Sequence, residues 1–377
     1  YLMFMSLTAF ASSILNSYGS FASPAFSPVL LNVAMIAGAW WLTPYMAEPI
    51  MALGWAVVAA GILQLAIQIP ELWKKNLLIP PKVDFKHEGV DRILKLMLPA
   101  LFGVSVTQIN LLLNTIWASF MQDGSVSWLY SAERMTELPL GLIGVAIGTV
   151  ILPSLSARHA EQDQAKFRSM IDWAARIIVL VGIPASIALF MLSTPIIQAL
   201  FQRGEFTVED THMTALALQC MSAGVISFML IKVFAPGFYA QQDTKTPVRV
   251  GLMAVAANAI LNVVFIGLFK LIDWHAEHMA LALASSGSAL VNAGMLYFYL
   301  HKRNIFRFAG HWKKLFLQYA VANAAMIAAL WYGLSWYNGD VSQWMRVAEV
   351  TALCVVGVVA YGVGLLATGF RPRHLKP

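Results

Sequence analysis

The sequence predicts an all-α polytopic membrane protein with about eleven transmembrane helices. Three observations carry that prediction. Hydrophobic residues make up 59% of the 377-residue chain, charged residues only 12%, and the mean hydropathy is +0.68. A soluble domain is about half apolar and a quarter charged, so this composition describes an outer surface that faces lipid. The apolar residues also gather into stretches of about 20 or more, the length that crosses a bilayer. Only short connections separate the stretches, the longest running from Leu72 to Gly89, and none has room for a folded soluble domain.

In chain order the spans fall near 1–20, 26–45, 49–70, 90–120, 126–154, 167–193, 210–240, 246–271, 276–301, 311–335 and 346–369. Tyr1 already lies in an apolar run, with no basic n-region and no small-residue cleavage pattern. The first span is therefore not a signal peptide, and the chain reads as starting inside a helix with upstream sequence missing. Ser23-Pro24 and Thr246-Pro247 each offer a hydroxyl N-cap ahead of a proline at the first helical position. Cys220 and Cys354 sit in separate apolar runs, without metal-site or disulfide spacing, and pack as small hydrophobes.

Lys and Arg fix an orientation. When successive connections are assigned to alternate sides, 20 of the 25 basic residues fall on one side. They include Lys74, Lys75, Arg158, Arg168, Lys245, Lys302, Arg303 and Arg371. Arg203, Lys270 and Arg346 fall on the other side. The positive-inside rule makes the first side, and with it the C-terminus, cytoplasmic. Such loops attract anionic headgroups, so the net charge of +6 requires no nucleic acid. No aromatic-interleaved basic module for a nucleic acid is present.

The two remaining basic residues, Arg134 and Lys232, lie inside spans, and Glu133 and Glu137 accompany Arg134. Counted from the span ends, Arg134 is about 12 Å below the outer boundary and Lys232 about 12 Å above the inner one, a depth difference of about 6 Å. A charge at mid-bilayer costs at least about 2.5–3.5 kcal/mol. These four side chains therefore belong in a wet or protein-lined interior. Glu133 and Glu137 share a helix face, and Arg134 and Glu137 are spaced to pair. Two readings follow. One is a self-neutralising ion-pair network that locks helices together. The other, which the residue types favour, is a cavity that presents Arg134 and Lys232 to an anionic substrate while the glutamates hold the arginine. Arginine supplies a planar fork of donors suited to phosphate, and lysine a mobile point charge.

Other features carry less. Gly144 and Gly148 in "GLIGVAIG" suit close helix packing. Asn110 and Asn114, and again Asn258 and Asn262, are four apart; interhelical amide hydrogen bonds explain them better than a cation site. The histidines, His278 among them, fall mainly at connections and read as solvated or interfacial. "DRILKLM", residues 91 to 97, reads as an amphipathic entry at the inner interface. No Walker-type phosphate loop, nucleophile triad or cofactor motif is legible, so the chain reads as a non-enzyme without a cofactor. Arg134 would also keep Glu133 and Glu137 ionised, against a paired-carboxylate hydrolase.

"NSYGSFASPAFSP" and "PGFYAQQDTKTPV" echo one another as polar helix-to-helix turns, as if from two structural repeats. Together with "GSVSWLYSAERMTELPLGLIGVAIGTVILPSLS" and "LFQRGEFT", they carry a resemblance that covers essentially the whole chain. The sequence resembles the MurJ (MviN) lipid II flippase family of the MOP exporter superfamily. The resemblance implies a fourteen-helix, two-lobe fold whose fourth to fourteenth helices correspond to these spans. Residues 1–71 would end the N-terminal lobe, 72–89 form a cytoplasmic linker, and 90–301 form the C-terminal six-helix lobe. The last two helices, in 302–377, would make a groove for the polyprenyl tail. Arg134 and Lys232 fall on the family's cavity arginine and lysine, and Glu137 on a cavity glutamate. Glu133 stands where the family often has aspartate. The family's first three helices bear further cavity arginines and an aspartate, which this sequence does not contain. The implied activity is translocation of a lipid-linked pyrophosphate substrate, lipid II, across the bacterial inner membrane by alternating access. The implied partners are that substrate, membrane lipids and cell-wall synthesis proteins. A related exporter of another polyprenyl-linked oligosaccharide or small molecule, and a non-transporting scaffold, are the alternatives.

Overall fold

A computed structural model describes residues 1–78, 108, 111–273, 275–308 and 311–371. The described residues contain helices and no strand. Contacts divide the chain into two compact units, Tyr1–Leu94 and Lys95–Pro377.

The first unit contains α1 (Leu2–Ser17), α2 (Ala22–Ala37), α3 (Pro49–Ala66) and α4 (Ile69–Lys74). Small residues bring its helices close. Ala52, Ala56 and Ala60 recur every four residues along α3 and are buried. A Cβ on Gly38 would stand 2.5 Å from that of Ala56, so only glycine fits where α2 passes into a wider π turn, Gly38–Leu42. Several polar groups inside the unit are paired. Gln64 Nε2 donates to the Ser27 carbonyl at 3.2 Å, Gln68 bonds Ser12 at 2.9 Å, and the Ser23 hydroxyl donates to Glu71.

The second unit contains α5 (Ser125–Pro139), α6 (Ala146–Ala160), α7 (Gln164–Met191), α8 (Ser193–Phe201), α9 (Val208–Tyr239), α10 (Lys245–Leu271), α11 (Met279–Lys302), α12 (His311–Leu334) and α13 (Gln343–Ala367). Residues 111–119 are also helical. The centre of this unit is α9, packed against α5, α6, α7, α8 and α11. More than half of its apolar window is buried (56%), against 17% for α10 and for α13, which turn Ile260, Val263, Val358 and Val363 outward. That exposed apolar surface suits lipid. Between α7, α9 and α11 lies the largest core, which includes Ile171, Ile178, Met229, Val233, Phe238 and Leu300. Gly224 allows α9 and α11 to touch, since a Cβ there would stand 2.8 Å from Ser286 Oγ. The Ser286 hydroxyl donates to the Cys220 carbonyl at 2.8 Å across the same contact. The α12–α13 hairpin closes on Gly364, which faces Ala322, and Tyr361 Oη ties it to the Leu180 carbonyl on α7 at 2.7 Å.

Among the described residues, eight helices are long and apolar enough to cross a membrane: 22–45, 49–74, 164–191, 208–239, 245–271, 279–302, 312–334 and 343–367. Each lies within a few residues of an expected span. The first span appears as the shorter apolar helix α1. The span expected at 126–154 is a longer run, residues 125–160, interrupted by a π turn at Leu140–Val145. Pro139 explains the interruption: it has no N–H to donate to the turn before it, and the helix rewinds with a wider turn. Most of the span expected at 90–120, the segment 91–97, most of the linker at 72–89, Asn110 and the surroundings of Gly148 lie outside the described residues.

Two N-cap expectations need correction. The second helix starts at Ala22 and α10 at Lys245, so Ser23 and Thr246 sit in first turns rather than ahead of them. For α10 the reason is Asp243. Its carboxylate accepts from the Thr246 backbone N–H at 3.0 Å and from the Thr246 hydroxyl at 2.7 Å, and so takes the capping role one turn earlier.

Candidate substrate cavity

Gly124, with φ +97°, turns the chain into α5, and the Trp128 indole packs where a Cβ on Gly124 would stand. Trp128 Nε1 donates to Asp210 Oδ1 at 2.7 Å, while Asp210 also closes a capping box with Thr207 at the start of α9. His278, just ahead of α11, stacks on Trp128 at 5.0 Å and donates from Nε2 to the Met213 carbonyl at 2.9 Å. Three helix starts are thereby fixed together. His278 is buried, contrary to the solvated role expected of it, because its ring fills the gap between these helices. Burial lowers its pKa, against a smaller opposing effect of the Met213 carbonyl.

Below this junction α5 carries the charged group. Arg134 Nη1 bonds Glu137 Oε2 at 2.9 Å, and Nη2 bonds the Tyr130 hydroxyl at 2.8 Å. Both members of the ion pair stay open, with side-chain exposures of 53% and 51%. The guanidinium is oriented without being sealed, and it keeps donors free for an incoming anion. Glu133 is half-buried and makes no ion pair among the described residues; it points toward a neighbouring cavity. Of the two glutamates expected to hold Arg134, Glu137 does so.

That cavity has a volume of about 210 Å³. Tyr130, Glu133, Thr136 and Glu137 of α5 form its polar wall, Asn114 and Ser285 add amide and hydroxyl, and Met221, Val225 and Phe228 of α9 make the apolar floor. Buried amides stand behind Asn114. Asn262 Nδ2 donates to both Asn258 Oδ1 and Asn114 Oδ1 at 3.1 Å, and Asn114 Nδ2 donates to Ser285 Oγ at 3.3 Å. The expected interhelical amide bonding is therefore present, joining α10, α11 and residues 111–119.

Lys232 enters elsewhere. It is exposed on α9, with its stem against the π turn, since a Cβ on Gly144 would stand 3.7 Å from Lys232 Cγ. Gly144 is ten residues beyond Arg134, about 15 Å of helix. The Lys232 stem thus meets this run well beyond the backbone of Arg134.

The sequence model of the family described as "Lipid II flippase MurJ" matches residues 1–351. The chain belongs to the MurJ lipid II flippase family. It is 43% identical over 387 aligned residues to the probable lipid II flippase MurJ of Haemophilus influenzae, covering 100% of this chain and 74% of that protein. Against the lipid II flippase MurJ of Burkholderia cenocepacia the identity is 38%, covering 100% of this chain and 73% of that one. A solved lipid II flippase MurJ in an inward closed conformation superposes with a TM-score of 0.76 at 26% identity, over 96% of this chain and 70% of that one.

For this MurJ-family member, sequence reasoning missed several residues of the site. Tyr130 is one turn before Arg134, and that spacing was a readable signal. The Thr207–Asp210 capping box was equally readable. The bonds from Trp128 to Asp210 and from His278 to Met213 join residues distant in sequence, and no local pattern announces them.

Proposed function

We propose that this chain moves lipid II across the bacterial inner membrane by alternating access, its basic loops facing the cytoplasm. Family membership supports the substrate. One observation supports the site: on α5, Arg134 offers a half-exposed guanidinium, aimed by Glu137 and Tyr130, beside a cavity with a polar wall. In this reading Arg134 takes the pyrophosphate through its fork of donors, Glu133 and Glu137 set the local field, and Lys232 meets the anion farther along the path. Handing the anion from one cation to the next suits a route that spans about 15 Å of helix better than one fixed clasp. Residues 1–71 and 90–301 would act as the moving lobes, with 302–377 guiding the lipid tail. A ligand drives closure only through differential affinity for the two states, and neutralising the cavity cations supplies such a difference.

The test is headgroup translocation in proteoliposomes containing the purified protein. Arg134→Ala and Lys232→Ala should each abolish most transport, and Arg134→Lys should not restore it. Wild-type rates in both alanine variants would remove these residues from the mechanism. Transport of a different polyprenyl-linked sugar in preference to lipid II would overturn the substrate.

A further inference from the structure

A second cavity, of about 590 Å³, shares no lining residue with the one at Glu133. It lies between the first turns of α7 and the segment that follows α11, and its lining includes Arg168, Ser169, Asp172, Asn304, Phe306 and Arg307. Asp172 is already engaged: Trp312 Nε1 donates to it at 2.7 Å, and Arg176 Nε lies 3.0 Å from its carboxylate. Arg168 and Arg307 are exposed and form no ion pair among the described residues. The mouth therefore carries two guanidinium groups with which no acidic group forms an ion pair among the described residues.

Beside it is an aromatic cluster. Phe306 meets Phe308 edge-to-face at 5.2 Å, Phe308 meets Trp312 edge-to-face at 4.8 Å, and Trp312 lies tilted against Phe316 at 5.5 Å. Phe308 and Phe316 remain partly exposed, at 39% and 42%. Aromatic residues beside arginines at the end of apolar helices mark the membrane–water interface, where basic pockets between helices bind lipid headgroups. Paired arginines recognise phosphate oxygens through charge-assisted forks.

We propose that this cavity binds a phosphate group borne by an anionic membrane lipid, with Arg168 and Arg307 holding its oxygens. The exposed edges of Phe308 and Phe316 meet the start of its acyl chains. This site is separate from the translocation cavity and does not depend on the role of Arg134.

Native mass spectrometry and thermal melting of the purified protein in an uncharged detergent test the proposal, with phosphatidylglycerol as the probe. Wild type should retain the lipid and melt higher in its presence. The Arg168→Gln/Arg307→Gln pair should weaken binding by about tenfold or more, as expected for losing charge-assisted hydrogen bonds. Melting of the lipid-free pair should match wild type. Arg249→Gln, a basic change outside the cavity, should leave binding intact. If the glutamine pair fails to fold, Arg168→Lys/Arg307→Lys keeps the charge and should bind several-fold more weakly. Equal lipid retention by these cavity variants and wild type would overturn the site. Protection by inorganic phosphate as strong as by phosphatidylglycerol would overturn its assignment to a lipid.

Discussion

Tyr130 and Arg134 lie one helical turn apart. The tyrosine hydroxyl accepts from Nη2 at 2.8 Å, and its ring lies 4.8 Å from the guanidinium carbon. With Glu137 on the other side, the arginine is aimed from both directions along its own helix. Tyr130→Phe keeps the ring and removes the hydroxyl. Because the guanidinium is half exposed, solvent discounts that bond, and roughly a two- to fivefold loss of translocation is expected. Glu137→Gln should cost more, since it removes the charge as well. Transport assays at fixed lipid II density check both. A Tyr130→Phe rate equal to wild type would show that Arg134 needs no bracing from this side.

Gly144 and Lys232 make a second contact, one on which the proposed transport route depends. A side chain at Gly144 would grow toward Lys232 Cγ and Met229, with Leu140 Cδ1 only 3.1 Å from its Cβ. Gly144→Ala asks for a small shift of one leucine methyl and should keep translocation within about twofold. Gly144→Leu overpacks the turn at about 1–3 kcal/mol and moves the Lys232 stem aside. Its transport should fall well below that of Gly144→Ala when protein amounts are matched. Equal rates would show that the path of Lys232 over this turn is immaterial.

Much of the helical framework was legible because each span announces itself by apolar length, and the helices observed at 208–239 and 343–367 fall close to the stretches expected at 210–240 and 346–369. What escaped reading depends on neighbours. The four-residue spacing put Glu133 and Glu137 on one helix face, yet Glu137 pairs with Arg134 while Glu133 faces a space built by α9, α11 and residues 111–119. Pro139 signalled a disturbance, but not that the helix would continue through a π turn. Ser193-Thr194-Pro195 was a readable helix start for α8, hidden because one long span seemed to end there.

Close packing of α9 on α11 rests on Gly224. A methyl group there would press on Ser286 Cα at 2.9 Å, which is backbone and cannot swing away. Gly224→Ala should lower stability by about 1–3 kcal/mol. The control is Gly251→Ala on α10, where nothing lies within 4 Å and removing a helical glycine is neutral or favourable. Thermal melting of the two variants in one detergent should separate them clearly, and a Gly224→Ala melt matching that of Gly251→Ala would mean that the two helices part easily.

Acid should destabilise the second unit in two stages, each traceable to one residue outside the spans. Burial holds the His278 pKa below its ordinary value of 6.5. The unfolded chain therefore binds that proton more readily, and this contribution to stability is lost as pH falls below about 6.5. For Asp243, burial pushes the pKa up, but hydrogen bonds from Thr246 and Arg303 outweigh it and hold the carboxyl at about 2. A depressed acid stabilises the fold above its unfolded value of 3.8, and that benefit disappears as pH falls toward 2. His278→Gln should flatten the upper stage and leave the lower one. Asp243→Asn should do the reverse, because Arg303 Nη2, which contacts Asp243 Oδ2 at 2.6 Å, loses its charged partner at every pH. Melting temperatures measured from pH 7.5 to pH 2 would show both stages, and a profile unchanged by either substitution would place the acid sensitivity elsewhere.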